Sequence, residues 1–122
     1  MSDKIKRFED LRIWQESHRL VSEIYKLVRK FPKEEEFILI SQLLRASISI
    51  PANIVEGFYR NTTKELIQFL YTFRGSAGEV IYYLMLSKDL NYISEYDYKR
   101  LRNDYELLAK SINALINSLK KK

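Results

Sequence analysis

Side chains able to carry acid–base or nucleophilic chemistry are scarce in this sequence, which has one histidine, His18, and no cysteine. A catalytic site needs such groups within reach of one another. Arg12 and His18 could together assist phosphodiester cleavage, but six residues of helix turn through about 600° and leave the two side chains about 120° apart. His18 also falls on an apolar helical stripe, where we expect a packed, hydrogen-bonded histidine. The pattern therefore predicts a protein that is not an enzyme.

Patterns that bind metal ions or phosphate groups are equally weak. The three consecutive glutamates at residues 34–36 suit the positive end of a helix dipole better than a metal ion. The sequence has no Glu-x-x-His pair, which a di-iron site in a helical bundle would need. Gly75 and Gly78 fall inside a predicted helix and lack the lysine spacing of a phosphate-binding loop. We therefore expect neither a metal nor a cofactor.

Basic residues give the stronger functional indication. The net charge of +5 is concentrated at the two ends of the chain, with +4 in residues 1–33 and +3 in residues 94–122. Basic faces of this kind attract phosphate backbones, while a solvated, solubilising surface is the plain alternative. The candidate nucleic-acid-binding residues are Lys4, Lys6, Arg7, Arg12, Arg19, Lys26, Arg29, Lys30, Lys99, Arg100, Arg102 and Lys110.

Hydrophobic spacing predicts that four helices carry these residues. Three glycines and two prolines are too few for a many-turned β fold. Apolar residues recur every three or four positions in four segments, residues 10–31, 35–59, 62–90 and 95–120. Thr62 with Glu65, and Ser94 with Asp97, match the pattern of a helix start. Because the linkers are short, we predict one all-α domain over residues 1–122, an up-down-up-down antiparallel four-helix bundle.

The predicted second helix contains Pro51 in its interior. Proline removes one amide hydrogen and frees the carbonyl of Ser47, so we predict a kink at this point. The hydroxyls of Ser47 and Ser49 and the side-chain amide of Asn53 lie near enough along the chain to satisfy the disturbed backbone. A bend with local polar repair is the expected structure, and a ligand or partner site is the alternative.

The register between predicted helices 2 and 3 brings further residues together. A turn near residue 61 places Arg45 and Glu79 in nearly the same layer, where an ion pair could form. The same layer holds the two mid-helix glycines of helix 3, each of which costs about 1 kcal/mol relative to alanine. Small facing residues could let the two backbones approach closely and offset that cost. Glu56 falls near the start of helix 1, where Arg12 is its expected partner.

Five sequence blocks resemble a known family. They are residues 8–15 (FEDLRIWQ), 31–32 (FP), 42–46 (QLLRA), 49–57 (SIPANIVEG) and 75–79 (GSAGE). In these blocks, which span nearly the whole chain, the sequence resembles the 23S rRNA intervening sequence proteins, the S23-like four-helix bundles. Val55 stands where that family more often has alanine. The signature residues are Arg45, Pro51, Asn53, Glu56, Gly57, Gly75, Gly78 and Glu79.

The resemblance implies an assembly and a class of partner. It implies a four-helix bundle that forms a ring-like homopentamer. It also implies kinship with the accessory variability determinant proteins of diversity-generating retroelements, basic pentameric barrels that bind nucleic acid and a reverse transcriptase. We therefore expect a non-enzymatic, oligomeric RNA-binding scaffold that acts through the basic faces of helices 1 and 4. The alternatives are a protein-interaction adaptor, for example to a reverse transcriptase, and, more weakly, a ribonuclease.

Nothing in the sequence indicates a membrane or an oxidising compartment. The first residues contain no apolar stretch of the kind found in secretory signals. No apolar run approaches the roughly 20 residues needed to cross a bilayer. The absence of cysteine suits a reducing compartment. These features predict a cytoplasmic protein without a membrane partner.

Overall fold

The computed structural model describes residues 6–121, which form four long helices and two short 3-10 turns. The helices are α1 (Arg12–Val28), α2 (Leu39–Phe58), α3 (Thr63–Asp89) and α4 (Glu95–Lys120), and the turns cover Phe8–Asp10 and Lys33–Glu35. Each helix packs against the next one in sequence, and α4 returns against α1. The described residues therefore form the predicted up-down-up-down antiparallel four-helix bundle.

One apolar stripe from each helix supplies the core of the bundle. Ile24 of α1, Leu43 of α2, Phe73 of α3 and Ile112 of α4 are all fully buried. Because apolar residues recur every three or four positions, each helix buries one face and leaves the opposite face to polar side chains. Packing of the core therefore determines which side chains of each helix are exposed to solvent, and the candidate functional groups are among these.

Local hydrogen bonds set the starts of α3 and α4. The hydroxyl of Thr62 accepts a hydrogen bond from the amide of Glu65 at 3.1 Å, and the hydroxyl of Ser94 accepts one from the amide of Asp97 at 3.0 Å. Between the two helices, Asn91 has a φ of 64°, in the left-handed region that asparagine tolerates. This residue reverses the chain from α3 into α4.

Two helix ends differ from the predicted ranges of 10–31 and 35–59. α1 ends at Val28, and the amide of the buried Phe31 closes a turn onto the Val28 carbonyl at 3.1 Å. The glutamates at residues 34–36 do not begin α2, because Lys33–Glu35 forms a 3-10 turn. Ile38 then has φ −117° and ψ −92°, outside the helical region, so that α2 starts at Leu39.

α2 continues through Pro51, whose side chain is buried. The hydroxyls of Ser47 and Ser49 donate to the carbonyls three residues before them, at 3.1 and 2.7 Å. The side-chain amide of Asn53 donates to the Ser49 carbonyl at 2.7 Å. All three side chains therefore bond to the backbone near Pro51, although none of these bonds reaches the Ser47 carbonyl itself. Serine and asparagine side chains commonly form hydrogen bonds with the backbone of the preceding helical turn. The Ser49 hydroxyl also forms a hydrogen bond with the hydroxyl of Ser76 of α3 at 2.8 Å.

Candidate nucleic-acid interface

The side of the bundle formed by α1 and α4, here the α1–α4 side, is its most open one. These two helices contact each other over less of their length than the other neighbouring pairs do. Two grooves of about 560 and 350 Å³ lie between them. Arg12 and Lys110 line the larger groove, and Lys26, Lys30 and Arg100 line the smaller groove. Nearly half of the candidate basic residues therefore line one side of the bundle.

Ion pairs across the α1–α4 side join the two helices. Arg19 of α1 lies 3.1 Å from Glu16 on the same helix and 3.5 Å from Asp104 of α4. Arg100 of α4 lies 2.7 Å from Glu23 of α1. The hydrogen bond to Glu23 raises the pKa of Arg100, because it favours the charged guanidinium. The charges of Arg19 and Arg100 are thus compensated within the chain and hold α1 against α4.

Four further candidates are also paired within the chain. The pairs are Arg7 with Glu9 at 2.8 Å, Lys26 with Glu23 at 3.9 Å, Lys99 with Glu95 at 3.7 Å and Arg102 with Glu106 at 3.6 Å. Such surface pairs contribute little to stability, and salt weakens them. Arg102 also donates to the hydroxyl of Tyr98, whose ring lies 4.7 Å from the ammonium of Lys88 on α3. Arg102 therefore lies on the α3 side of α4, away from the grooves.

Five candidates are exposed and have no ion pair among the described residues: Lys6, Arg12, Arg29, Lys30 and Lys110. Arg12 and Lys110 line the larger groove and Lys30 lines the smaller groove, while Arg29 follows the last residue of α1. Lys4 lies outside the described residues. A cation without a partner among the described residues can pair with an external anion, so the three that line the grooves, Arg12, Lys30 and Lys110, form the centre of the candidate interface.

His18 is not the packed core histidine that its position on the apolar stripe predicted. It is exposed, and its ring stacks on that of Trp14, with centroids 4.7 Å apart and 9° between the planes. Trp14 contacts Phe8, which contacts Phe58 of α2, so this aromatic cluster lies toward α2. The buried face of α1 is narrower than its apolar stripe, and His18 lies on the part of the stripe that stays exposed. Arg12 instead lines a groove against α4, and the two side chains share no site.

Acidic side chains do not form a metal site in the part of the chain that the structure describes. No group of three or more histidine, cysteine, aspartate or glutamate residues there could hold a metal ion. Glu35 instead accepts a hydrogen bond from the hydroxyl of Tyr92 at 2.8 Å, which raises the pKa of Tyr92. Among residues 6–121, no helix combines the length and the apolar character needed to cross a membrane.

The predicted ion pairs of the signature residues are absent from the described structure. Arg45 and Glu79 are both exposed, and neither an ion pair nor a hydrogen bond joins them. Glu56 pairs with Arg60, four residues later, and not with Arg12. Both predictions were wrong because sequence register gives the layer of a residue but not the neighbour its side chain meets. A partner at i+4 on the same helical surface is nearer than one on another helix.

Gly75 and Gly78 do not bring α2 and α3 together as predicted. A Cβ atom added at either position would meet nothing within 4 Å. At Gly57 of α2, an added Cβ would lie 3.1 Å from Leu66 and 3.2 Å from Phe69 of α3. The close approach that requires glycine is therefore at Gly57, and the two glycines of α3 face open space.

Large apolar side chains at the α1–α2 turn are exposed, which the sequence did not predict. Phe37 is 86% exposed and Ile38 is 65% exposed. Phe37 falls within the predicted second helix, residues 35–59, but the start of α2 at Leu39 leaves it outside the helix. Leu107, which lines the larger groove, is 52% exposed. The exposed surface of the bundle therefore carries large apolar side chains as well as the charged ones that the sequence indicated.

The fold and its open, basic side define a small four-helix-bundle protein with a candidate polyanion-binding face. Residues 9–114 match the family model described as 23S rRNA-intervening sequence protein. Because this match extends over most of the sequence, the chain belongs to the 23S rRNA-intervening sequence protein family. No match was found among curated proteins.

The fold also occurs in a solved structure. It is a protein of unknown function from the S23 ribosomal protein family of Bacteroides thetaiotaomicron VPI-5482, and it is 26% identical to this chain. The two structures superpose with a TM-score of 0.79, over 86% of this chain and 95% of that chain. The similarity supports the bundle and the family, and the relative's own function is unknown.

Proposed function

We propose that this chain is a non-enzymatic, oligomeric scaffold that binds RNA through the α1–α4 side of the bundle. The observation that carries the proposal is the set of exposed cations along this side that have no ion pair among the described residues. Lys30 lines the smaller groove just after the end of α1, and both it and the preceding Arg29 are exposed. Contacts to phosphates position a strand without reading its sequence, so the binding is sequence-independent.

Assembly would strengthen the attraction of a weakly basic chain for RNA. One chain carries a net charge of +5, and five chains, the number that the family resemblance implies, would carry a formal +25. Several weak sites on one particle hold a long polyanion more tightly than one site does. The oligomer and the RNA-binding side therefore act together in this proposal.

Charge reversal at the end of α1, where Lys30 lines the smaller groove, tests the proposed interface. Changing Arg29→Glu together with Lys30→Glu should weaken binding of a mixed-sequence, single-stranded RNA oligonucleotide by about tenfold or more at low salt. Two attractive contacts with phosphates become repulsive in this variant. Fluorescence anisotropy of a labelled oligonucleotide measures the change, and circular dichroism checks that the variant is folded.

The matched control is Arg45→Glu together with Lys64→Glu. It changes the net charge by the same amount, but both residues are exposed on α2 and α3. We expect this variant to bind close to the wild-type affinity. An equal loss in both variants, or no binding by the wild type, would contradict the interface. RNA cleavage that disappears with His18→Ala would favour the ribonuclease alternative.

The exposed apolar side chains favour a second function, that of an adaptor which binds another protein, such as a reverse transcriptase. Phe37 and Ile38 form an apolar patch of the kind that marks protein-interaction surfaces. An adaptor of this kind would bind its partner equally well with and without the substitutions at Arg29 and Lys30. RNA binding by the wild-type chain alone therefore separates the two functions.

A further inference from the structure

Residues 34–38 form an exposed segment that combines negative charge with apolar surface. Glu34 and Glu36 are exposed and have no ion pair among the described residues. Phe37 and Ile38 follow directly, and these two large apolar side chains are also exposed. Adjacent large apolar side chains on a surface indicate that another molecule covers them.

Contacts with the α3–α4 turn hold this segment in place. Phe31, just before it, is buried, and its ring lies 5.3 Å from that of Tyr92. The Tyr92 hydroxyl donates a hydrogen bond to Glu35 at 2.8 Å. A segment that is ordered before binding loses less conformational entropy when a partner docks, so it is suited to an interface.

The larger groove of the α1–α4 side has an apolar lining that matches the apolar part of the segment. Ile13 of α1 and Leu107 and Ala114 of α4 contribute to this lining. Its volume of about 560 Å³ falls within the range of about 300–1,000 Å³ typical of pockets that enclose a ligand. Two large apolar side chains can therefore enter it.

The charges beside the larger groove match the acidic part of the segment. Its two acidic lining residues, Glu16 and Asp104, are already paired with Arg19. Arg12 and Lys110 also line it, and both lack an ion pair among the described residues. The groove therefore presents apolar surface beside two uncompensated cations, and the segment presents apolar surface beside two uncompensated carboxylates.

The segment and the groove of one chain cannot meet each other. The segment follows the end of α1 at Val28, whereas the groove lies around Ile13 near its start. Fifteen residues of helix separate these points, or about 22 Å. A contact between the two surfaces must therefore join two copies of the chain.

We propose that residues 34–38 of one copy dock into the larger groove of a second copy. The two apolar side chains lie on the apolar lining, and the free carboxylates pair with Arg12 and Lys110. This contact would be the interface that builds the oligomer of the proposed function, and the inference rests on that function. Because the two surfaces differ, the contact is heterologous: each added copy leaves one segment and one groove free until the assembly closes into a ring.

The proposed contact divides the α1–α4 side between two roles. Docking covers Arg12 and Lys110, whose charges then pair with the neighbouring copy. Arg29 and Lys30, at the other end of α1, stay open to RNA. Loss of assembly and loss of the RNA-contacting cations can therefore be produced by different substitutions.

Two variants that each remove one surface test the contact. Phe37→Asp should disable the docking segment, and Leu107→Asp should disable the groove. Both side chains are more than half exposed, so the fold should tolerate either substitution. The wild type should be an oligomer by light scattering, and each variant alone should have the mass of one 14.6 kDa chain. An equimolar mixture should give a species of twice that mass, because one intact segment and one intact groove remain.

Control substitutions distinguish this contact from other modes of assembly. Tyr82→Asp on α3 changes an exposed aromatic residue outside both surfaces and should leave the wild-type mass unchanged. Arg12→Glu with Lys110→Glu should also give a monomer, because this variant keeps its segment but has a groove of reversed charge. Mixing it with Phe37→Asp, which keeps an intact groove, should restore the two-chain species. Mixing it with Leu107→Asp should not, because neither variant keeps an intact groove, and a two-chain species there would contradict the proposed contact.

The outcomes separate this inference from the proposed function. A wild-type oligomer that persists in both Phe37→Asp and Leu107→Asp, or variants whose mixture stays monomeric, would overturn the proposed contact and leave the oligomer intact. A wild-type chain that is monomeric at every concentration would overturn the oligomer as well. RNA binding by such a monomer would still support the interface at Arg29 and Lys30.

Discussion

At the scale of single residues, Tyr105 carries the least satisfied polar group of the core. Its side chain is fully buried, and its hydroxyl is the one buried side-chain polar atom of the described residues without a hydrogen-bond partner. Burial raises the pKa of Tyr105, because the ionised form loses its solvation. A buried polar group left unpaired costs about 1–3 kcal/mol of stability. The hydroxyl therefore weakens the fold at neutral pH.

Tyr105→Phe is expected to raise the free energy of unfolding by about 1 kcal/mol, because it removes only the unpaired hydroxyl. For a chain of this length, the melting temperature should rise by about 4 °C, as measured by circular dichroism. Tyr92→Phe is the control, since it removes a hydroxyl that donates to Glu35 and should lower stability by about 0.5–1.5 kcal/mol. A loss of stability in Tyr105→Phe would show that its hydroxyl has a partner.

The alkaline response of the same variant provides a second readout. Because burial disfavours the ionised form, this group leaves the free energy of unfolding unchanged with pH below its unfolded pKa of about 10, and lowers it as the pH rises from there toward the folded pKa. The wild type should therefore lose stability above about pH 10, and Tyr105→Phe should lose less. Identical pH dependences in the two proteins would contradict the burial of this hydroxyl.

At the scale of helices, features set by near neighbours were predictable and features set by tertiary contacts were not. The caps at Thr62 and Ser94 form within one turn of chain, so residue spacing was enough to identify them. The glutamates at residues 34–36 suit either a 3-10 turn or a helix start, and spacing does not distinguish the two. Arg45 was given the wrong partner because the rotation of α2 about its axis depends on the whole core.

The same distinction applies to the candidate interface. The sequence located the basic residues on helices 1 and 4, and the bundle topology made these helices neighbours. It did not show which cations are paired within the chain, since Arg19 and Arg100 meet carboxylates distant in sequence. It also did not show the exposure of Phe37, which depends on where α2 begins.

The three glycines within helices should respond to alanine in opposite directions. Gly75→Ala and Gly78→Ala should each raise the free energy of unfolding by up to about 1 kcal/mol, because alanine favours the helix and its methyl group meets open space. Gly57→Ala should lower it by about 1–3 kcal/mol, because the added methyl group would press against Leu66 and Phe69. Urea denaturation measures all three. Destabilisation by either α3 substitution in a monomeric sample would contradict the open space found there.

At the scale of the whole molecule, the net charge matters less than the charge left uncompensated. Arg7, Arg19, Lys26, Lys99, Arg100 and Arg102 are paired with carboxylates of the same chain. In the proposed function, binding of RNA would then depend on the cations without such partners among the described residues and on their repetition in an assembly. Both contributions are electrostatic, so added salt should weaken them together.

The salt dependence of RNA binding tests the central claim most directly. If the wild-type protein binds RNA through phosphate contacts, the logarithm of its affinity should fall linearly with the logarithm of the salt concentration. The slope should be about −0.7 for each phosphate neutralised, or about −1.4 and steeper for two or more contacts. Oligonucleotides of different sequence should give the same line. Absence of binding at low salt, or an affinity that salt does not change, would contradict the account.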